Sequence, residues 1–114
     1  MSTRSIIAQP CADGSYEGIY CHFDGHPQGV GLTLKERYLY PEKVNELILG
    51  GDISSLGNTI EETVFYTQRK EKYHRYQEVR NILAFKAIAK NAGCDYLYVY
   101  VPESKDWDCH MIHW

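Results

Sequence analysis

The sequence predicts an α+β fold, an antiparallel sheet built from N- and C-terminal β-hairpins with two to three helices packed on one face. Three observations carry this. Tyr96–Val101 alternates strictly, with Leu97, Val99 and Val101 on one side and Tyr96, Tyr98 and Tyr100 on the other, as a strand requires. At the opposite end of the chain, Arg4–Gln9 and Tyr16–Phe23 flank the turn dipeptide Asp13-Gly14. Between the two ends the apolar spacing changes to threes and fours, the helical period. Strand pairs at the ends with helices between them suggest a sheet carrying helices.

Taken in order, Arg4–Gln9 is a short strand rich in β-branched residues. In the next strand Ile19, Cys21 and Phe23 fall on one face, and Tyr16, Gly18, Tyr20 and His22 on the other. Asp24–Gly31 reads as a loop, with a helix beginning near its end because Val30, Leu34 and Tyr38 repeat every four residues. Pro41 suits the first position of a second helix, in which Val44, Leu47 and Ile48 make an apolar stripe that ends at Gly50-Gly51. Asp52–Asn58 reads as another loop, and Glu62–Gln68 as a short strand or a helical turn. A long helix is expected over Lys72–Ala92, with Ile82, Phe85, Ile88, Ala89 and Ala92 on its buried arc and Val79 and Leu83 widening it. After the Tyr96–Val101 strand, Pro102–Asp106 is a hairpin loop and Trp107–Trp114 the last strand.

The chain has 114 residues, which fits a single domain spanning 1–114. Its 44% hydrophobic and 24% charged residues are ordinary for a globular protein and argue against disorder. A net charge of −3 argues against nucleic acid, whose phosphates call for a basic excess. No apolar run approaches the roughly 20 residues that span a bilayer, and Ile6-Ile7-Ala8 is too short for a signal core. The expected location is the cytoplasm, where Cys11, Cys21, Cys94 and Cys109 remain thiols. No CxxC spacing links them.

The densest polar stretch is Cys21-His-Phe-Asp-Gly-His-Pro-Gln-Gly-Val-Gly31. Its glycines could gather backbone N–H groups for an anion ahead of a helix. Asp24 and His26 could serve acid–base chemistry, and Cys21 beside His26 could serve as a nucleophile. The plainer reading, and the favoured one, is a tight strand-to-helix turn. The ligand-binding candidates are Arg4, His22, Asp24, His26, Gly29 and Gly31. No metal or cofactor is expected. Neighbouring Cys-His pairs on strands, Cys21-His22 and Cys109-His110, point to opposite faces and do not assemble a tetrahedral set. Gln68–Tyr76 carries local positive charge, most simply as a solvated helix start.

Ten tyrosines are the one compositional oddity. The row Tyr96, Tyr98 and Tyr100 has three readings. It is a stacking platform for bases, which the acidic balance disfavours, a protein interface, or a row covered by the chain's own loops. The last two weigh equally.

The segments Ser2-Thr-Arg-Ser-Ile-Ile7 and Gly18-Ile-Tyr-Cys-His-Phe-Asp-Gly-His-Pro-Gln-Gly-Val-Gly-Leu-Thr-Leu34 resemble a group of small bacteriophage and prophage proteins. So does Leu47-Ile-Leu-Gly-Gly-Asp-Ile-Ser-Ser-Leu56. Those proteins open on a Thr-Arg-Ser strand and carry a Tyr-Cys-His-Trp-Asp-Gly-Tyr-Pro segment. This chain has Phe23 in place of the Trp and His26 in place of the Tyr. The resemblance covers about the first half of the chain, implies a phage-encoded accessory protein and assigns no functional residue.

The function expected from all this is a non-enzymatic binding protein, acting on a host factor or a small ligand, in host takeover or in blocking a defence system. Its expected partners are another protein or a second copy of itself through Tyr96, Tyr98 and Tyr100, or a small anion. The alternative is a small enzyme or nucleotide- or anion-binding protein using the Asp24–Gly31 loop.

Overall fold

The computed structural model describes residues 3–113. Strands β1 (Ser5–Pro10) and β2 (Tyr16–Cys21) form the expected N-terminal hairpin, with Ser5 opposite Cys21 and Pro10 opposite Tyr16. Asp13 builds the turn: its carboxylate accepts from the Ser15 amide at 2.9 Å and the Ser15 hydroxyl at 2.6 Å. Three short strands follow, β3 (Ile53–Ser55), β4 (Val64–Phe65) and β5 (Tyr76–Val79). The C-terminal hairpin is β6 (Tyr96–Val101) with β7 (Asp106–Met111), paired from Tyr96 opposite Met111 to Val101 opposite Asp106.

These strands make one mostly antiparallel sheet in the order β4-β3-β2-β1-β6-β7, with β5 also paired to β2. The two hairpins are joined by a parallel pairing of β1 with β6, from Ser5 opposite Tyr96 to Ala8 opposite Val99. The fold is α+β, as the sequence predicts.

The helices are α1 (Leu32–Arg37), α2 (Pro41–Leu49) and α3 (Ile82–Asn91), with a π-helical turn over Pro27–Gly31 leading into α1. They do not share one face. Leu34 of α1 and Val44, Leu47 and Ile48 of α2 cluster with Ile7, Ile19, Tyr98 and Tyr100 on one side of the sheet. Phe85 and Ala89 of α3 cluster with Ile6, Ala8, Leu97 and Val99 on the other. The reason lies in the central strands. Ile6, Ile7 and Ala8 are consecutive and all buried, so β1 is apolar on both faces and each face needs a cover.

The long helix expected over 72–92 is shorter. Residues 76–79 pair with β2 instead, and Asn81 starts α3 by accepting the Ala84 amide at 2.8 Å. Ile53–Ser55, expected as loop, is a strand beside Cys21. Both differences come from pairing with β2, a contact distant in sequence that overrides local composition.

Candidate functional site

The tyrosine row is not an exposed face. Tyr98 and Tyr100 are 1% and 2% exposed, lying beneath α1, α2 and the turn before α1. Their hydroxyls donate to main-chain carbonyls, Tyr98 to Gly25 at 2.7 Å and Tyr100 to Leu39 at 2.5 Å. Burial pushes the Tyr98 phenol far above its usual range, so it stays a donor. Tyr96 is half-buried and stacks on Tyr98. The expectation of an interface through these rings fails because a tyrosine can bury its body and still satisfy its oxygen.

The glycine loop is equally self-contained. Gly25 donates its amide to Thr3 at 2.8 Å, Gly29 to His26 at 2.9 Å, Val30 to Asp24 at 2.8 Å and Gly31 to His26 at 3.4 Å. The glycine amides that would cradle an anion are therefore already bonded, that of Gly25 to Thr3 and those of Gly29 and Gly31 within the loop. The glycines are needed for close approach. A Cβ on Gly29 would meet the Asp24 carbonyl oxygen at 2.4 Å, and one on Gly31 would meet the Tyr98 ring at 3.1 Å. Asp24 is exposed on a left-handed backbone, φ +58°, while His26 borders a shallow cleft with Thr3, Tyr96 and Met111. Cys21 is buried, donates to the Phe23 carbonyl at 3.4 Å, and burial raises its thiol to about 12. That is the opposite of what a thiolate nucleophile needs.

Arg4 and His22 do come to one side. Alternation in β2 sends Ile19 and Cys21 toward α1 and α2, and Tyr20 and His22 toward the α3 side. Arg4 lies one residue before the first β1–β2 pair and shares its side with Ile6 and Ala8. The Tyr20 hydroxyl and His22 Nδ1 are 2.9 Å apart. Burial raises the Tyr20 phenol to about 12, with the Arg4 charge pulling it back. Either tautomer leaves this pair one free donor, the Nε2–H of His22 where the phenol donates to Nδ1 and the Tyr20 O–H where the ring donates.

Neighbouring elements brace this pair. Asp52 accepts the Tyr20 amide at 2.9 Å through Oδ1, and its Oδ2 lies 2.8 Å from His74 Nδ1. The Arg4 guanidinium lies against Gly93, just past α3, where a Cβ would sit 3.1 Å from Nη1. The Cys94 thiol, raised by burial to about 12, also feels that charge. Arg4 Nε is buried with no hydrogen-bond partner, and Arg4 forms no ion pair among the described residues. The C-terminal end of α3, whose dipole is negative there, lies on the same side as the guanidinium.

The structure thus unites Arg4 and His22, adds Tyr20, Asp52, His74 and Gly93, and leaves Asp24, His26, Gly29 and Gly31 outside the cluster. Tyr20 was within reach of sequence reasoning, since it shares a strand face with His22. Asp52 and His74 arrive through β3 and the approach to β5, neither foreseen. No group of three or more His, Cys, Asp or Glu among the described residues is placed to hold a metal ion.

Fold and cluster together define a three-layer α+β domain with one half-buried arginine that has no ion pair among the described residues and lies on the side of the Tyr20–His22 pair. Compared with known proteins, the chain matches no family model, no curated protein and no solved structure.

Proposed function

We propose that the protein is a non-enzymatic binding protein that recognises a small anion through Arg4, Tyr20 and His22. Its proposed setting is that of a phage- or prophage-encoded accessory protein in the host cytoplasm. The observation that carries the reading is the Arg4 guanidinium, whose Nε–H is buried without an acceptor and which has no carboxylate partner among the described residues. A buried donor left unpaired costs about 1–3 kcal/mol. A carboxylate or phosphate oxygen would remove that cost and match the planar fork of the guanidinium. The hydrogen-bonded pair of Tyr20 and His22 adds one further donor on the same side.

The enzyme reading has weaker support. Cys21 and Cys94 are held protonated, and the amides of Gly25, Gly29 and Gly31 are already bonded to main-chain carbonyls.

The test is a titration with inorganic phosphate, sulfate and acetate at fixed ionic strength, followed by NMR at the Arg4 Nε–H and the His22 ring. Saturable shifts that Arg4→Met abolishes without loss of stability support the proposal. Identical weak shifts in both proteins overturn it. So does an Arg4→Met protein that is merely destabilised, because Arg4 would then serve only the end of α3.

A further inference from the structure

A second place on the molecule has features of a ligand site. A cleft of about 360 Å³ runs between α3 and the end of β7, within the range of small-molecule sites. One wall is the outer stripe of α3, where Leu83, Lys86, Ala87 and Lys90 follow helical spacing. At 1.5 Å per residue that stripe is about 10 Å long. Met111 and Ile112 form the other wall.

Two properties set this cleft apart. Its apolar walls hold Leu83 and Met111, 77% and 58% exposed, two of the most exposed large hydrophobic side chains among the described residues. Its polar edge is cationic in a chain of net charge −3, and neither Lys86 nor Lys90 forms an ion pair among the described residues.

We propose that this cleft binds a small amphipathic carboxylate, a medium-chain fatty acid or a compound of that shape. Its chain would lie along Leu83, Ala87 and Met111, and its carboxylate would meet Lys86 and Lys90. The lysines favour an anionic head group over a neutral hydrocarbon, since neither has an ion-pair partner among the described residues. A second copy docked symmetrically over the cleft would set Lys86 and Lys90 against their own counterparts, a like-charge contact. A helical or extended peptide would need more than a 10 Å trough to be held. The site is separate from the Arg4 cluster, and the proposal does not rest on it.

The probes are octanoate, decanoate and decanol, each below its micelle concentration, titrated into the whole chain and followed by amide NMR shifts. Decanoate is expected to bind saturably and one to one, shifting Leu83, Ala87 and Met111. Its affinity should exceed that of octanoate by about fourfold for each added methylene that is buried. The double variant Lys86→Gln, Lys90→Gln should weaken decanoate several-fold and leave decanol unchanged. Leu83→Ser should weaken both. Leu83 is exposed, so this variant keeps the fold, which circular dichroism checks.

No saturable shift at these residues overturns the proposal. Equal effects of the lysine changes on acid and alcohol also overturn it. So does sedimentation showing a dimer that Leu83→Ser dissociates, because the cleft would then be an interface between copies.

Discussion

The Tyr98 hydroxyl donates to the Gly25 carbonyl oxygen across 2.7 Å, inside the protein. This bond joins the two most conspicuous features of the sequence, the tyrosine row and the glycine loop. Each explains the other without a ligand. The loop folds over β6 because Gly31 lets its backbone approach the Tyr98 ring, and the ring presents its oxygen where Gly25 turns inward. Replacing Tyr98 by Phe keeps the ring and leaves the Gly25 carbonyl without that donor. The expected cost is about 1–3 kcal/mol, a drop of several degrees in Tm. Amide exchange at Gly29 and Val30 should accelerate as the loop loosens. Unchanged Tm and exchange would show that the bond contributes nothing.

Much of this fold was legible because alternation is local. The faces of β2 and β6 follow from period 2 alone, and Pro41 with Gly50-Gly51 bounds α2. What alternation could not tell was which face water sees. Tyr98 and Tyr100 look like a wet face by residue type, yet their hydroxyls reach carbonyls contributed by segments 73 and 61 positions away. β3 and β5 were missed for the same reason, since their pairing partner is β2 and no local pattern announces it. The candidate site was half legible. Arg4 and His22 were singled out by chemistry, but their convergence depends on the β1–β2 register. The orphaned Arg4 Nε is visible only once burial is known.

Gly18 sits opposite Ala8 in the central hairpin with α3 over it. A Cβ there would come within 2.8 Å of the Ile7 carbonyl oxygen and 2.9 Å of Phe85 Cζ. Gly18→Ala should therefore cost about 1–3 kcal/mol by overpacking. Part of the clash is with a side chain that can be shortened, so Gly18→Ala with Phe85→Leu should cost less than the sum of the single changes. The Ile7 contact is backbone and keeps the rescue partial. Urea unfolding of the four proteins measures this, and strict additivity would show that Phe85 does not confine Gly18.

The four thiols should divide by access. Cys109 is exposed and Cys11 half-buried, whereas Cys21 and Cys94 are fully buried. A colorimetric disulfide reagent at pH 8 should modify Cys109 fastest, Cys11 next, and Cys21 and Cys94 only at the rate of unfolding. Denaturant should make all four equivalent. Rapid native labelling of Cys94, identified by peptide mass, would mean that the end of α3 opens far more readily than its packing implies.

Buried thiols and phenols also set how the fold responds to alkali. Burial raises Cys21 and Cys94 to about 12 and lifts Tyr98 further, against unfolded values near 9 for thiols and 10 for the phenol. Above pH 9 the unfolded chain therefore releases protons that the folded chain still holds. With fewer protons bound in the unfolded state, stability falls as pH rises. The contribution is complete below about pH 9 and is lost progressively toward about pH 12. A fully buried group such as Cys21 gives a slope approaching 1.4 kcal/mol per pH unit in that window, and Cys94 acts in the same direction. Tm measured from pH 8 to 11 should fall more steeply in the native protein than in Cys21→Ala. The variant begins from a lower Tm because its cavity costs packing, so the comparison is between slopes. Parallel curves would mean that the Cys21 thiol ionises as easily in the folded protein as in the unfolded chain.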